Sequence, residues 1–128
     1  MSNQNIEATK KGYNAFGAGD LKAALSVFDD AAEWTVNGES LIGGTYHGKG
    51  ELTGLLMRMA EKSAKVEAKR FLADGDVVVV LAEVTVGAET SQEADVFTFS
   101  NGKVINAQSF GDTALQERIF GSKRVATA

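Results

Sequence analysis

The chain contains no cysteine and no proline, and it has a single histidine, His47, among its 128 residues. Without thiols there is no disulfide, no thiolate nucleophile and no sulfur-ligated metal site, a composition that suits a reducing cytoplasm. One imidazole excludes zinc sites built from several histidines, and a Ser-His-Asp triad would depend on His47 alone. We therefore expect no metal and no cofactor, and chemistry that is carried by carboxyl groups.

Long apolar runs and an excess of positive charge are also missing. The longest apolar run, 77–82, is far too short to cross a bilayer, and the opening MSNQNIEATKK has no signal-peptide core. The net charge is −4 with a pI near 5.0, and the thirteen Lys and Arg residues are scattered. These features predict a cytoplasmic protein that binds neither nucleic acid nor membrane.

The first half of the chain has helical periodicity. Apolar residues at helical spacing predict three helices, over 6–16, 21–28 and 52–59, and Asp20 is placed to cap the second. A strand is predicted over 32–37, with Trp34 and Val36 on one face. A glycine-rich loop then leads into Tyr46-His47-Gly48 and the third helix.

The second half is rich in β-forming residues. Four strands are predicted over 66–73, 77–87, 92–100 and 103–110, with hairpin signals at Asp74-Gly75 and Asn101-Gly102. A short final helix follows Asp112, with Gln116 three residues beyond Thr113 as in a capping box. We predict one α+β domain over 1–128, with its core in about 3–120 and a frayed tail over 122–128. Its strongly curved antiparallel sheet wraps around three N-terminal helices and leaves an internal pocket.

Asp95 is the most informative single residue. On the strand predicted over 92–100 it shares a face with Phe97 and Phe99, because side chains alternate along a strand. A carboxyl among aromatic rings must be hydrogen-bonded, solvated or held neutral with a raised pKa. Asp95 is therefore either a site residue or a structural carboxyl bonded to a hydroxyl or a backbone amide.

Several short motifs occur in order along the chain. They are YNAFGAGD at 13–20, FDDAAEW at 28–34, YHGK at 46–49 and NGKV at 101–104. Together with the layout of helices and strands, over about residues 3–120, they resemble the SnoaL-like and ketosteroid-isomerase-related proteins. The resemblance implies a cystatin-like, nuclear-transport-factor-like cone that commonly forms a homodimer through its open sheet face. Members of these families include isomerases, polyketide cyclases, epoxide hydrolases, dehydratases and binding modules.

The resemblance also implies roles for individual residues. Asp95 looks like the protonated aspartic acid that donates to the enolate oxygen in ketosteroid isomerases. Thr35 stands where those isomerases have their general base, and a hydroxyl is a poor proton acceptor, so steroid isomerisation by that mechanism is disfavoured. Tyr13 is one residue closer to Asp20 than the isomerases' oxyanion tyrosine is. Asp112 resembles the acid/base aspartate of SnoaL-like cyclases, with a helix N-cap as its alternative role.

We predict Asp112 and Asp95 as catalytic residues. The residues predicted to bind the ligand, each with packing or solvation as its alternative, are Tyr13, Trp34, Phe97, Met59, Phe110 and His47. The predicted activity is acid/base isomerisation, cyclisation or hydration of a small apolar carbonyl or polyketide-like compound, without a cofactor. The alternatives are a non-catalytic small-molecule binding module and a dimerisation module. A homodimer is expected because 77–81 has apolar residues on both sides of the sheet.

Overall fold

The computed structural model of the chain describes residues 2–124. The helices are α1 (Ser2–Gly17), α2 (Leu21–Leu25), α3 (Gly48–Glu61) and α4 (Thr113–Phe120). The strands are β1 (Phe28–Val36), β2 (Gly44–His47), β3 (Lys65–Asp74), β4 (Val77–Val86), β5 (Glu89–Ser100) and β6 (Lys103–Phe110). The α+β prediction and the four strands of the second half are confirmed.

The six strands form one open sheet in the order β2-β1-β6-β5-β4-β3. Neighbours are antiparallel except for β1 and β6, which pair in parallel. The hairpin between β5 and β6 turns at Asn101 and Gly102, whose φ angles are 50° and 77°. Two positive φ angles are what a type I′ turn requires, and Asn-Gly supplies them at least cost. A register shift between Thr98 and Phe99 then follows, and beyond it Asp95 pairs with Ser109.

The helices cover one face of the sheet. Helix α1 packs against β3 and β4, and α3 packs against β1 and β2. The inward side chains of both layers form the core, in which Leu52, Leu55, Val78 and Val80 are fully buried. Alternation along β4 puts Val78 and Val80 on the face of the sheet that the helices cover. Leu52 and Leu55 are buried residues of α3. The core therefore lies between the helices and the sheet, and the site is found there too.

Two local predictions in the first half are wrong. Phe28 was assigned to the second helix, but it opens β1, where it pairs with Val104 of β6. No strand is predicted between the glycine-rich loop and the third helix, but Gly44–His47 forms β2 against β1. Both segments are extended because each pairs with another strand where its own local pattern is weak.

The two ends of the final helix also differ from the prediction. Asp112, not Thr113, is the N-cap of α4, so Gln116 is not the partner in a capping box. Beyond the helix, Ser122 bridges Ser40, and the backbone N–H of Lys123 donates to the Glu39 carbonyl at 2.8 Å. The predicted fraying is therefore wrong for 122–123, while 125–128 lie outside the described residues. None of the described helices is long and apolar enough to span a membrane.

The outer face of the sheet carries an apolar patch. Two rows of three residues in register lie side by side: Leu72–Val79–Val96 across β3, β4 and β5, and Leu81–Ala94–Phe110 across β4, β5 and β6. Leu72, Leu81 and Phe110 are 41%, 39% and 48% exposed. We call these six residues the outer patch. Exposed apolar area of this kind is typical of a surface that another molecule covers.

Candidate active site

A cavity of about 90 Å³ lies between the helices and the sheet. Its walls are mostly aromatic and aliphatic, with Phe16, Phe28, Leu55, Met59 and Phe97 among them. The polar residues that line it are Thr9, Tyr13, Glu93, Asp95, Ser109 and Gln116. An engineered apolar cavity of about 150 Å³ binds benzene, so this smaller cavity limits a ligand to a very compact molecule.

Strand β5 places two carboxyls on the cavity side. Glu93 and Asp95 are two residues apart and therefore point to the same face. Asp95 pairs with Ser109 of β6, which brings the serine hydroxyl alongside. Tyr13 reaches the same point from α1, where its ring meets Phe97 edge to face with centroids 6.1 Å apart. Three elements thus converge on one polar cluster, defined by Tyr13, Glu93, Asp95 and Ser109.

Hydrogen bonds hold most of this cluster in place. The Tyr13 hydroxyl donates to Asp95 Oδ2. The Trp34 indole Nε1–H donates to Ser109 Oγ at 2.8 Å, which leaves the serine its own proton to direct towards Asp95. Asp95 is only 3% exposed, and its Oδ1 has no hydrogen-bond partner among the described residues. One oxygen of the Asp95 carboxyl is therefore buried with its capacity to accept a hydrogen bond unused.

Burial shifts the pKa values of the cluster. The pKa of Glu93 is raised from 4.5 to about 9, first by burial and then by its neighbour Asp95. Burial also raises the pKa of Asp95, against the opposing effects of Glu93, Tyr13 and Ser109, which stabilise its charge. The pKa of Tyr13 is raised by burial and by Asp95. At neutral pH Glu93 therefore keeps its proton, and Asp95 is the more readily ionised of the two acids.

Basic side chains are absent from the cavity wall. Over residues 2–124, no lysine, arginine or histidine lines the cavity, and no group of three or more His, Asp or Glu side chains is placed to hold a metal ion. The Glu93/Asp95 pair therefore has no cation beside it, and the proton kept by Glu93 limits its charge. Two buried acids whose environments push their pKa values apart form an arrangement that can donate a proton from one group and accept it at the other.

Comparison with known families agrees with the fold. The family described as the SnoaL-like domain matches residues 10–107 of this chain. The chain belongs to the SnoaL-like domain family. A comparison with curated proteins gave no match.

Solved structures resemble this SnoaL-like domain over nearly its whole length. An NTF2-like protein of unknown function from Burkholderia pseudomallei K96243 is 25% identical, with 95% of this chain and 100% of that chain covered and a TM-score of 0.85. TerC, co-crystallised with polyporic acid, is 25% identical, with 93% and 99% covered and a TM-score of 0.80. A protein from Jannaschia sp. CCS1 assigned as a SnoaL-like polyketide cyclase is 16% identical, with 97% and 96% covered and a TM-score of 0.80.

Five of the eight residues singled out from the sequence meet at the cavity of this SnoaL-like domain. They are Tyr13, Trp34, Met59, Asp95 and Phe97. Tyr13 reaches Asp95 in spite of its altered spacing from Asp20. The position of Asp95 on the inner face agrees with the alternation of side chains along its strand. Its role in binding or catalysis stays a prediction.

The other three residues lie outside the cavity. Asp112 is exposed, and its Oδ1 accepts from the Leu115 backbone N–H at 3.0 Å as the N-cap of α4, so the expectation that both acids share one cavity is wrong. Phe110 is 48% exposed because alternation in β6 sends it to the outer face. His47 is exposed at the edge of the sheet, with its Nδ1 3.3 Å from Glu33.

Three site residues were missed by the sequence analysis. Glu93 had a usable signal, because it lies two residues before Asp95 on the same strand. Ser109 joins the site through the pairing of β6 with β5, and Gln116 joins it through the packing of α4. For these two the sequence contains no local signal, since only the tertiary arrangement brings them to the cavity.

Proposed function

We propose that this SnoaL-like domain is a cofactor-independent acid/base enzyme that isomerises, cyclises or hydrates a small, mostly apolar carbonyl or polyketide-like compound. The observation that carries the proposal is the Glu93/Asp95 pair, two carboxyls side by side in an otherwise apolar cavity. Burying two acids without a cation is costly. A site that gains nothing chemically from the pair would be more stable with apolar side chains in these positions.

The two acids have different roles in this proposal. Asp95 Oδ1 is the proton acceptor, because it is buried, has no partner and belongs to the more readily ionised carboxyl. Glu93 is the proton donor, since its pKa of about 9 keeps it protonated at neutral pH. Asp95 takes a proton from the carbon beside the carbonyl while Glu93 protonates the carbonyl oxygen, which yields an enol. In an isomerisation, Asp95 gives its proton to another carbon while Glu93 takes back the enol proton. In a cyclisation, the enol carbon attacks a second carbonyl of the substrate, whose oxygen takes the proton from Asp95 while Glu93 takes back the enol proton.

The neighbouring groups position this pair. The Tyr13 hydroxyl holds Asp95 Oδ2, so the carboxyl turns Oδ1 towards the cavity. Trp34 anchors Ser109 on the other side. The apolar wall excludes water, which strengthens each electrostatic interaction and favours the apolar body of a ligand.

The comparisons support a ligand of this kind without identifying it. TerC, at 25% identity, was co-crystallised with polyporic acid, so a related chain of the same fold takes an organic compound. The Jannaschia neighbour, at 16% identity, shows the shared fold alone. The reaction proposed here therefore depends on the cluster itself rather than on a neighbour.

Hydrogen exchange tests this proposal without knowledge of the substrate. In D₂O, small cyclic ketones such as cyclopentanone should gain deuterium beside the carbonyl faster with the protein than without it, as followed by NMR. Asp95→Asn and Glu93→Gln should lose this acceleration, and the wild-type rate should fall as the pH rises through about 9, because Glu93 then loses its proton. Asp112→Asn is the matched control, because asparagine is an equally good N-cap. Equal exchange rates in Asp95→Asn and wild type would refute the assignment.

A second candidate is a non-catalytic binding module. It is favoured by Thr35, which stands where the related isomerases have a base and whose hydroxyl lies 3.0 Å from that of Thr45 and not at the cavity. In that case the protein would bind the same compounds with no acceleration of exchange in any variant.

We further propose that the protein is a homodimer formed through the outer patch. The patch is apolar, continuous across four strands and exposed in the single chain. Covering it with a second copy removes this apolar area from water. Homodimers are also what the family resemblance implies.

A further inference from the structure

Gln116 contributes a second unpaired polar atom to the cavity. It lies in α4, and its Oε1 is buried without a hydrogen-bond partner among the described residues. Asp95 Oδ1 is in the same state, and both residues line the same cavity. A buried acceptor without a donor costs about 1 to 3 kcal/mol, so two of them in one small apolar space indicate a missing partner that donates.

Gly111 brings the Gln116 amide next to the carboxyl pair. A methyl group placed on Gly111 would lie 2.9 Å from Gln116 Nε2 and 3.4 Å from Glu93 Oε1. The amide and the carboxyl therefore both rest against the bare Cα of Gly111. The absence of a side chain at this position is what lets α4 present a polar group beside Glu93.

Resting on the proposed function, we propose that the substrate carries a hydroxyl or enol group next to its carbonyl, and that Gln116 together with Asp95 recognises it. The hydroxyl donates to the free oxygens of these two residues. A carbonyl oxygen in the same molecule accepts from the acid proton of Glu93, which lines the cavity between them. A plain ketone only accepts, so it leaves both buried acceptors unpaired.

The size of the cavity limits the rest of the molecule. About 90 Å³ takes a compact apolar body, and apart from its six polar residues the wall of the cavity is aromatic and aliphatic. The substrate class is thus a hydroxy-carbonyl or enol compound in which the polar atoms lie at one end. Small cyclic probes match this description.

Binding of matched probes tests the inference. Trp34 is the only tryptophan and lines the cavity, so its fluorescence reports occupancy. Cyclopentanol and cyclopentanone have nearly the same shape, but only the alcohol donates. The wild type should bind cyclopentanol about tenfold more tightly than cyclopentanone, as expected for one acceptor that gains a donor. 2-Hydroxycyclopentanone should bind at least as tightly as the alcohol.

Two variants test whether Gln116 causes the preference for the alcohol over the ketone. Gln116→Leu keeps the size of the side chain and removes the amide, so the ratio between alcohol and ketone should fall about threefold or more. Gly111→Ala leaves Gln116 in the chain but pushes its amide away. The affinity for the alcohol relative to the ketone should therefore fall in this variant too. Gln4→Leu, at an exposed position of α1, is the matched control and should keep the wild-type ratio.

Equal affinity of the wild type for alcohol and ketone would overturn the inference, as would the absence of binding by any of the three probes. An unchanged ratio in both Gln116→Leu and Gly111→Ala would overturn the role of Gln116. These outcomes are separate from a failure of the proposed function. A protein that prefers the alcohol through Gln116 but accelerates no hydrogen exchange is a binding module with the ligand class inferred here.

Discussion

Replacing Glu93 by glutamine should stabilise the protein increasingly as the pH rises. Glutamine has the shape of a protonated glutamic acid and keeps a hydrogen-bond donor towards Asp95, but it cannot ionise. The native Glu93 has a pKa of about 9 instead of 4.5, caused first by burial and then by Asp95. The substitution therefore changes mainly how the free energy of unfolding depends on pH.

The direction of this pH effect follows from whether the folded or the unfolded protein holds the Glu93 proton. Between pH 4.5 and about 9 the folded protein keeps the Glu93 proton while the unfolded chain releases it. Stability is therefore highest below pH 4.5 and is lost as the pH rises towards 9, by about 1.4 kcal/mol per pH unit. At pH 7 the loss due to Glu93 amounts to about 3 kcal/mol, and at pH 8.5 to about 5 kcal/mol.

Urea unfolding followed by Trp34 fluorescence measures this effect. The free energy of unfolding of wild type and Glu93→Gln should differ by less than about 1 kcal/mol at pH 5 and by about 3 kcal/mol at pH 7, at one fixed protein concentration. Glu89→Gln is the control on the same strand, because Glu89 is exposed and pairs only with Arg118 at the surface. That change should alter stability by less than about 1 kcal/mol at either pH.

A difference between wild type and Glu93→Gln that does not grow with pH would refute the reasoning. It would mean that Glu93 is ionised in the folded protein, and the proposed proton donor would then be lost. A wild-type stability that rises from pH 5 to pH 8 would lead to the same conclusion.

Three further predictions concern a hydrogen bond of the site, the outer patch and the N-cap of α4. Ser109→Ala removes the acceptor of the Trp34 indole N–H, so urea unfolding should show a loss of about 1 to 3 kcal/mol, and an unchanged midpoint would contradict that bond. Leu81→Lys puts a charge in the outer patch and should turn the homodimer into a monomer by light scattering, whereas a dimer that persists would exclude this face. Asp112→Ala should cost about 1 kcal/mol of stability, because the Leu115 N–H loses its cap, without changing probe binding.

Much of the fold is readable from local sequence patterns. Alternation and the Asn101-Gly102 turn predict the strands of the second half, because the period of a strand and the positive φ of a hairpin turn are local properties. The same alternation places Asp95 on the inner face with Phe97. A carboxyl in an apolar run is itself a signal, since such a group needs a reason to be buried.

The composition of the site was decided by the tertiary structure. Glu93 lies in β5 and Asp112 follows β6. The carboxyl of Asp112 nevertheless caps α4 in solvent, whereas that of Glu93 lies beside Asp95 in the cavity. The pairing of β6 with β5 brings in Ser109, and the packing of α4 over Gly111 brings in Gln116. The sequence alone determined the strands of the second half and the buried acid, because these follow from the period of the chain. The partners of that acid depend on which distant strands pair and how a helix docks, and only the folded chain specifies those contacts.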